Sequence, residues 1–280
     1  MGKKRSAQKK KSGSGKNRVR TILPEDMIDG PDAAEPIKKQ VFLPGMAVEE
    51  GHELDVDMSA YVMLRSLQTE WPCLSFDLLR DGDGEERTAF PMNAYMVAGS
   101  QAGPDASGNQ LMLVRMANLW KNQATPDESD DGEEDSEDDE GEEEEGKKPH
   151  FSLASIPHQG CVNRVRSHGS QPGVLTATWS ELGVVSVWSL AEPLQLLQEN
   201  SSTGLGSSGS SKKFDIRLEP FHVNSLHSTE GYALDWAPAS PWLLAGDCAG
   251  HISLTSITGN GAATEPTAFT GHEGSVEDIQ

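Results

Sequence analysis

Three stretches of this chain are versions of one another. They are Pro157-His158-Gln159-Gly160-Cys161-Val162-Asn163-Arg164-Val165-Arg166, Leu226-His227-Ser228-Thr229-Glu230-Gly231-Tyr232-Ala233-Leu234-Asp235 and Gly271-His272-Glu273-Gly274-Ser275-Val276-Glu277-Asp278-Ile279-Gln280. Each places an aliphatic residue seven positions after its histidine: Val165, Leu234 and Ile279. The step from His227 to His272 matches the roughly 40 to 45 residues of a propeller blade, and the longer step from His158 contains a Ser/Gly run, Ser201 to Ser211. A repeat of that length is one small sheet that cannot bury its own faces, so the chain must fold by stacking sheets.

Each unit leads into further strands. Leu175 to Trp179 and Val184 to Trp188 follow the first, and Trp242 to Gly246 and His251 to Thr255 follow the second, joined by Glu-Leu-Gly and Asp-Cys-Ala-Gly turns. Upstream, Leu74, Phe76 and Leu78 alternate with Ser75 and Asp77, Asp81-Gly82-Asp83-Gly84 supplies turn chemistry, and Tyr95 to Gly99 and Leu111 to Met116 read as strands. The expectation is an all-β chain over 73–280 with about three blades of a propeller.

Ahead of the strands, Ala60, Met63, Leu64 and Leu67 fall at i, i+3, i+4 and i+7. This spacing predicts a helix of about three turns over Asp57 to Gln68, capped by Asp57 or Ser59 and ended by Trp71-Pro72; residues 51–72 are assigned to it. Residues 1–50, rich in Lys, Gly, Ser and Pro, bury too little apolar surface to offset ordering and read as a disordered basic tail. Within the tail, Lys3-Lys4-Arg5 and Lys9-Lys10-Lys11 read as a nuclear import address, the alternative being a solubilising or RNA-brushing arm.

The net charge of −21 is unevenly spread: nine Lys/Arg occupy the first twenty residues, and fifteen acids occupy the nineteen positions from Asp127 to Glu145. Those acids are Asp127, Glu128, Asp130, Asp131, Glu133, Glu134, Asp135, Glu137, Asp138, Asp139, Glu140, Glu142, Glu143, Glu144 and Glu145. Like charge without periodicity predicts a disordered loop over 126–148, and 200–213 reads as a flexible Ser/Gly insertion. Such a charge repels phosphates, which argues against nucleic-acid specificity and anionic membranes and for a basic protein partner. A merely solvating segment is the competing reading; Ser136, followed by Glu137-Asp138-Asp139, is a candidate acid-directed phosphorylation site.

Cys73, Cys161 and Cys248 stand far apart without a Cys-x-x-Cys pair, so neither a disulfide framework nor a local cysteine metal site is expected. No apolar run reaches the roughly 18 residues of a membrane span, and the basic start lacks the apolar segment of a secretory signal; a soluble intracellular protein is expected. Nucleophile motifs, phosphate loops and metal-spaced histidines are missing from the sequence, so no catalytic residues, metal or cofactor are expected. His158, His227 and His272, at equivalent repeat positions, are expected to make structural hydrogen bonds inside their blades.

Tyr232-Ala233-Leu234-Asp235-Trp236-Ala237-Pro238, Gly246-Asp247-Cys248 and the unit from Gly271 look like WD-repeat segments. Together with Trp71-Pro72-Cys73-Leu74-Ser75-Phe76-Asp77, Asn163-Arg164-Val165-Arg166 and the glutamate-rich loop between them, they make residues 40–280 closely resemble the glutamate-rich WD-repeat proteins, relatives of the histone-binding propellers. The resemblance implies a seven-bladed fold, a place in the nucleus and nucleolus, and partners among core histones and a large-subunit ribosomal protein or pre-ribosome. It further implies that the outer face of the N-terminal helix helps bind a histone helix through Tyr61, Leu64, Arg65 and Leu67. Sealing a gap in the propeller is the competing role, above all for Leu64 and Leu67.

The chain departs from that pattern in three places. Trp188-Ser189 and Thr255-Ser256 stand where Trp-Asp is expected, and Ser167-His168-Gly169 shortens what should be a strand, so an irregular blade is expected there. Gln280 stops inside a strand, which leads us to expect a shortened product with exposed sheet faces that folds poorly on its own. The functional expectation is an escort for basic proteins; the alternative is a propeller-face scaffold or ubiquitin-ligase substrate adaptor.

Overall fold

The computed structural model describes residues 43, 45–48, 54, 56–81, 86–103, 108–122, 147–168, 175–200, 212–259, 261–265 and 269–280. The acidic tract, the basic clusters and the Ser/Gly run at 201–211 lie outside them. The chain divides into two units, 1–57 and 58–280. In the first, a turn at Gly45 is closed by Met46 N–H donating to Leu43 O.

The second unit holds three sheets. The first is built from β1 (Cys73–Leu79), β2 (Met92–Ser100), β3 (Gln110–Leu119) and β4 (His150–Pro157), each antiparallel to the one before. The second begins with β5 (Val162–Ser167), β6 (Leu175–Ser180) and β7 (Val185–Ser189). The chain then leaves this sheet through helix α1 (Ala191–Glu199), returns as β8 (Lys212–Asp215) parallel to the outer edge of β4, and closes the second sheet with β9 (His222–Asn224) against β7. The third sheet is β10 (Gly231–Trp236), β11 (Trp242–Asp247), β12 (His251–Thr258) and β13 (Gly261–Thr264), with the short β14 (Phe269–Thr270) also on β12. This is an incomplete WD-repeat propeller; β5 ends at Ser167, and most of the stretch where an irregular blade is expected, 169–174, lies outside the described residues.

Two cores lie between the sheets. Leu79, Tyr95, Val97, Leu111, Leu113 and Ile156 of the first meet Val162, Val165 and Trp188 of the second, and Leu190, Leu194 and Leu197 around α1 join them. Trp179, Val185 and Val187 of the second meet Leu234, Trp236, Leu243 and Ala245 of the third. The faces at the two ends of the stack are open: Leu74, Phe76 and Leu78 on β1 are 52%, 60% and 63% exposed, and Trp242 and Phe269 are similarly bare.

Close stacking depends on bare backbone at one point per interface. Val162 sits on Gly99, and Val276 sits on Gly246, so tightly that a Cβ on either glycine would overlap the valine. The middle interface inverts this: Trp179 occupies the glycine's place, donating from Nε1 to Gly246 O at 2.9 Å, and Gly231 occupies the valine's, with no room for a Cβ beside the indole. Large and small have changed sides, and the indole fills more space than the valine it stands in for.

The helix expected over 57–68 is not formed. Met58–Ala60 is a 3-10 turn, and residues 61–72 are irregular. The reason is capture of the backbone by a distant side chain. The Asn122 amide donates to Met58 O and Tyr61 O, its Oδ1 accepts from Leu64 N–H, and its own N–H donates to Val62 O. Those groups would otherwise serve the helical ladder, and an isolated helix of this length is marginal in water.

Introducing a valine by Gly231→Val is expected to cost about 2 kcal/mol, and Trp179→Gly about 3–5 kcal/mol. The double variant recreates the arrangement of the other interfaces, so a urea-unfolding cycle should show favourable coupling of at least about 1 kcal/mol. Simple additivity would rule out the volume exchange.

Candidate functional site

The inner strands β1 and β5, the start of β10 and the segment from Val276 run side by side in one direction, so they begin on a common rim. Register puts the ends of β2, β4, β6 and β11 on that rim as well. The residues three and five positions after each repeat histidine face it: Cys161, Glu230 and Ser275, then Asn163, Tyr232 and Glu277. Cys161 and Asn163 are buried there, Glu230 and Tyr232 half-buried, and Ser275 and Glu277 exposed, while positions four and seven, aliphatic except for Gly231, fill the space between the sheets.

Glu230 is the hub. Its Oε2 accepts from the Asn163 amide at 2.9 Å and the Tyr232 hydroxyl at 3.3 Å. Burial, and then the charge and hydrogen bond of Glu230 with Glu277 beyond it, push the Tyr232 phenol above its ordinary value. One guanidinium crosses the cluster: Arg164 donates from Nε to Tyr232 O at 2.6 Å and from Nη2 to Glu277 O at 3.4 Å, and pairs with Asp278 at 3.5 Å. Among the described residues, Glu181, Glu230, Glu273, Glu277 and Asp278 stand on this rim with Arg164 already engaged, so it presents a negative field to solvent. Chemically it is a place for lysine or arginine side chains.

The expected partner-binding residues of the N-terminal segment are not gathered on one face. Tyr61 and Leu67 are exposed, whereas Leu64 and Arg65 are half-buried. Arg65 donates to Leu64 O, Asn122 Oδ1 and Trp120 O, which makes it a tie between this segment and the end of β3. The acids from Asp127 to Glu145 lie outside the described residues. They connect β3 to β4, whose register ends at Ala117 opposite His150 and places that connection at the rim opposite Glu230.

Two of the three repeat histidines are buried in hydrogen-bond networks. His158 Nδ1–H donates to Gly160 O, and its Nε2 lies 3.0 Å from Thr178 Oγ1, which accepts from Trp188 Nε1. Burial lowers its pKa, outweighing the pull of the Gly160 carbonyl. His227 Nδ1–H donates to Asp247 at 2.9 Å, and its Nε2 lies 2.8 Å from Ser253 Oγ, which accepts from Asn224. Burial acts to raise the Asp247 carboxyl, but hydrogen bonds from His227 and from the His251 and Ala249 N–H groups leave it below its ordinary value. The Asp-His-Ser order resembles a hydrolase relay, yet Asp247 is 0% and Ser253 3% exposed, which leaves the hydroxyl no substrate to meet. His272 is exposed.

Sequence reasoning missed Glu230, Tyr232, Glu277 and Asp278 as a cluster, although all four lie inside the repeat units. The available signal was their position: polar residues alternating with the recurring aliphatic ones at the start of an inner strand.

Residues 51–119 match the family of the histone-binding protein RBBP4, whose description also takes in a component of the CAF1 complex. The chain is 39% identical over 256 residues to Protein HEAT STRESS TOLERANT DWD 1 of Arabidopsis thaliana, covering 87% of this chain and 53% of that protein. It is 38% identical over 243 residues to Ribosome assembly protein rrb1 of Schizosaccharomyces pombe, covering 85% and 47%. It is 39% identical over 248 residues to Glutamate-rich WD repeat-containing protein 1 of Dictyostelium discoideum, covering 86% and 49%. The chain thus spans about half the length of the relatives it matches.

Two titrations check the site. Because the folded pKa of His158 is depressed, its contribution to stability is present above the unfolded value near 6.5 and is lost as pH falls through the folded value. The urea midpoint should therefore drop on acidification from pH 7.5 to 5.5, and His158→Gln, less stable at pH 7.5, should drop less; His222, also held down by burial, keeps part of the slope. The Tyr232 phenol, assigned by Tyr232→Phe, should ionise above pH 10 by absorbance, and Glu230→Gln should bring it part of the way back. An unmoved Tyr232 would show that Glu230 does not set the field at the rim.

Proposed function

We propose, from the premise that this chain belongs to the glutamate-rich WD-repeat family, that it is a non-catalytic escort for basic proteins in the nucleus. Its cargo on this reading is core histones, a large-subunit ribosomal protein during ribosome biogenesis, or both. The observation that carries the reading is the rim, where carboxylates from successive sheets surround a single, already paired Arg164. Similarity to a histone-binding family over 51–119 and to a ribosome assembly protein over most of the chain supports the same class of partner. The fifteen acids between β3 and β4 add a second negative element that raises encounter rates with Lys/Arg-rich proteins and masks their charge from nucleic acid. A nucleolar address would follow from a ribosomal cargo.

The test is capture of purified core histones by the chain, with and without residues 127–145 and with Glu230→Gln plus Glu277→Gln, across a salt titration. Capture should fall about tenfold or more between 0.1 and 0.5 M salt, and each change should weaken it. Capture indifferent to salt, to the deletion and to the rim would shift the function to the scaffold or adaptor reading.

A further inference from the structure

A crevice of about 530 Å³ opens on the same rim where β1 and β5 begin, lined by Trp71, Pro72, Ala102, Cys161 and Glu181. We propose that it is a subsite for one arginine side chain of an extended basic peptide lying along the rim. The proposal rests on the basic-partner reading above and names one residue type that reading leaves open.

Two features of the crevice select a guanidinium. Glu181 is held in place by a pair of backbone contacts: its Oε1 accepts from Cys161 N–H at 2.8 Å, and its own N–H donates to Cys161 O at 3.0 Å. That leaves Oε2 without a partner among the described residues, on an exposed side chain already fixed in direction. Trp71 is 38% exposed and lines the same crevice. It is anchored at its own backbone, where Trp71 O accepts from Thr69 Oγ1, and by Pro72 O, which accepts from Gln101 N–H. A planar, weakly hydrated guanidinium stacks on indole and forks to a carboxylate, which a compact ammonium does less well.

The floor of the crevice adds no competing charge. Burial, then the hydrogen bond and charge of Glu181, push the Cys161 thiol up, so it stays a neutral thiol beside the carboxylate. The equivalent position one repeat later is Glu230, whose backbone carbonyl accepts from Cys248 N–H as Cys161 O accepts from Glu181 N–H. The crevice and the Glu230 cluster are therefore neighbouring stations on one rim, joined through β5 by Asn163, and a single extended peptide can cross both.

The test measures anisotropy of a labelled Gly/Ala decapeptide carrying two lysines and one central arginine, against the same peptide with citrulline or lysine at the centre, binding to the full chain. Glu181→Gln keeps an acceptor for Cys161 N–H. It should weaken the arginine peptide about tenfold and leave the citrulline peptide unchanged; Trp71→Leu should weaken the arginine peptide several-fold. Equal losses for both peptides, or none, overturn the subsite. If Glu230→Gln weakens all three peptides while Glu181→Gln weakens none, the subsite falls and the basic-partner reading stands. If the unmodified chain binds none of the peptides, both fall.

Discussion

The inner strand of each of the three described sheets is an edge strand, and its outward backbone groups find partners on the neighbouring sheet. They find side chains of the next inner strand. Ser75 Oγ and Asp77 Oδ2 accept from Val165 and Ser167 N–H at 3.0 and 2.7 Å, while Arg164 and Trp236 donate to Tyr232 O and Arg166 O at 2.6 and 2.9 Å. An unsatisfied buried group of this kind costs about 1–3 kcal/mol, so these contacts both blunt an edge and hold one sheet to the next. Their spacing works only if the strands start together, which is why Val162 and Val276 must settle onto bare glycine.

The rim follows from the same constraint. Once positions four and seven after each histidine are committed to the core, several of the residues beside them lie half-buried or exposed where the strands begin, with fewer packing demands on their identity. In this chain that freedom is filled with Glu230, Tyr232, Glu277 and Asp278. Arg164 belongs to the stack rather than to the surface, because its guanidinium spans β10 and the segment from Val276. Among the described residues, the negative field at the rim is thus what remains after the scaffold has taken Arg164 for itself.

The stacked-sheet architecture was legible because the repeat interval and the histidine-to-aliphatic spacing are properties of backbone geometry, repeated in each unit. The strand β4 was not read because it emerges directly from the acidic tract, and α1 was not read because it interrupts a sheet, although Leu190, Leu194 and Leu197 share its buried side. The N-terminal segment shows the opposite failure. Its helical spacing is real, but the groups that decide its conformation belong to Asn122, far along the chain, and no local pattern reports them. The weak Trp-Asp signature also has a local cause. His158 takes its hydroxyl partner from Thr178 on β6, whereas His227 takes Ser253 on β12, so the histidine is constrained and the position of its partner is not.

The topology separates the two negative elements. β1 and β5 begin, and β2 and β4 end, at the rim that carries Glu230, whereas β3 ends and β4 begins at the other, where the fifteen acids are attached. The rim's carboxylates are held at set distances by Asn163, Tyr232 and Arg164, so they can discriminate among side chains; a run of like charge contributes field strength and little geometry. The geometry of the rim is therefore set by the fold, and the charge of the tract by its sequence, each alterable without touching the other.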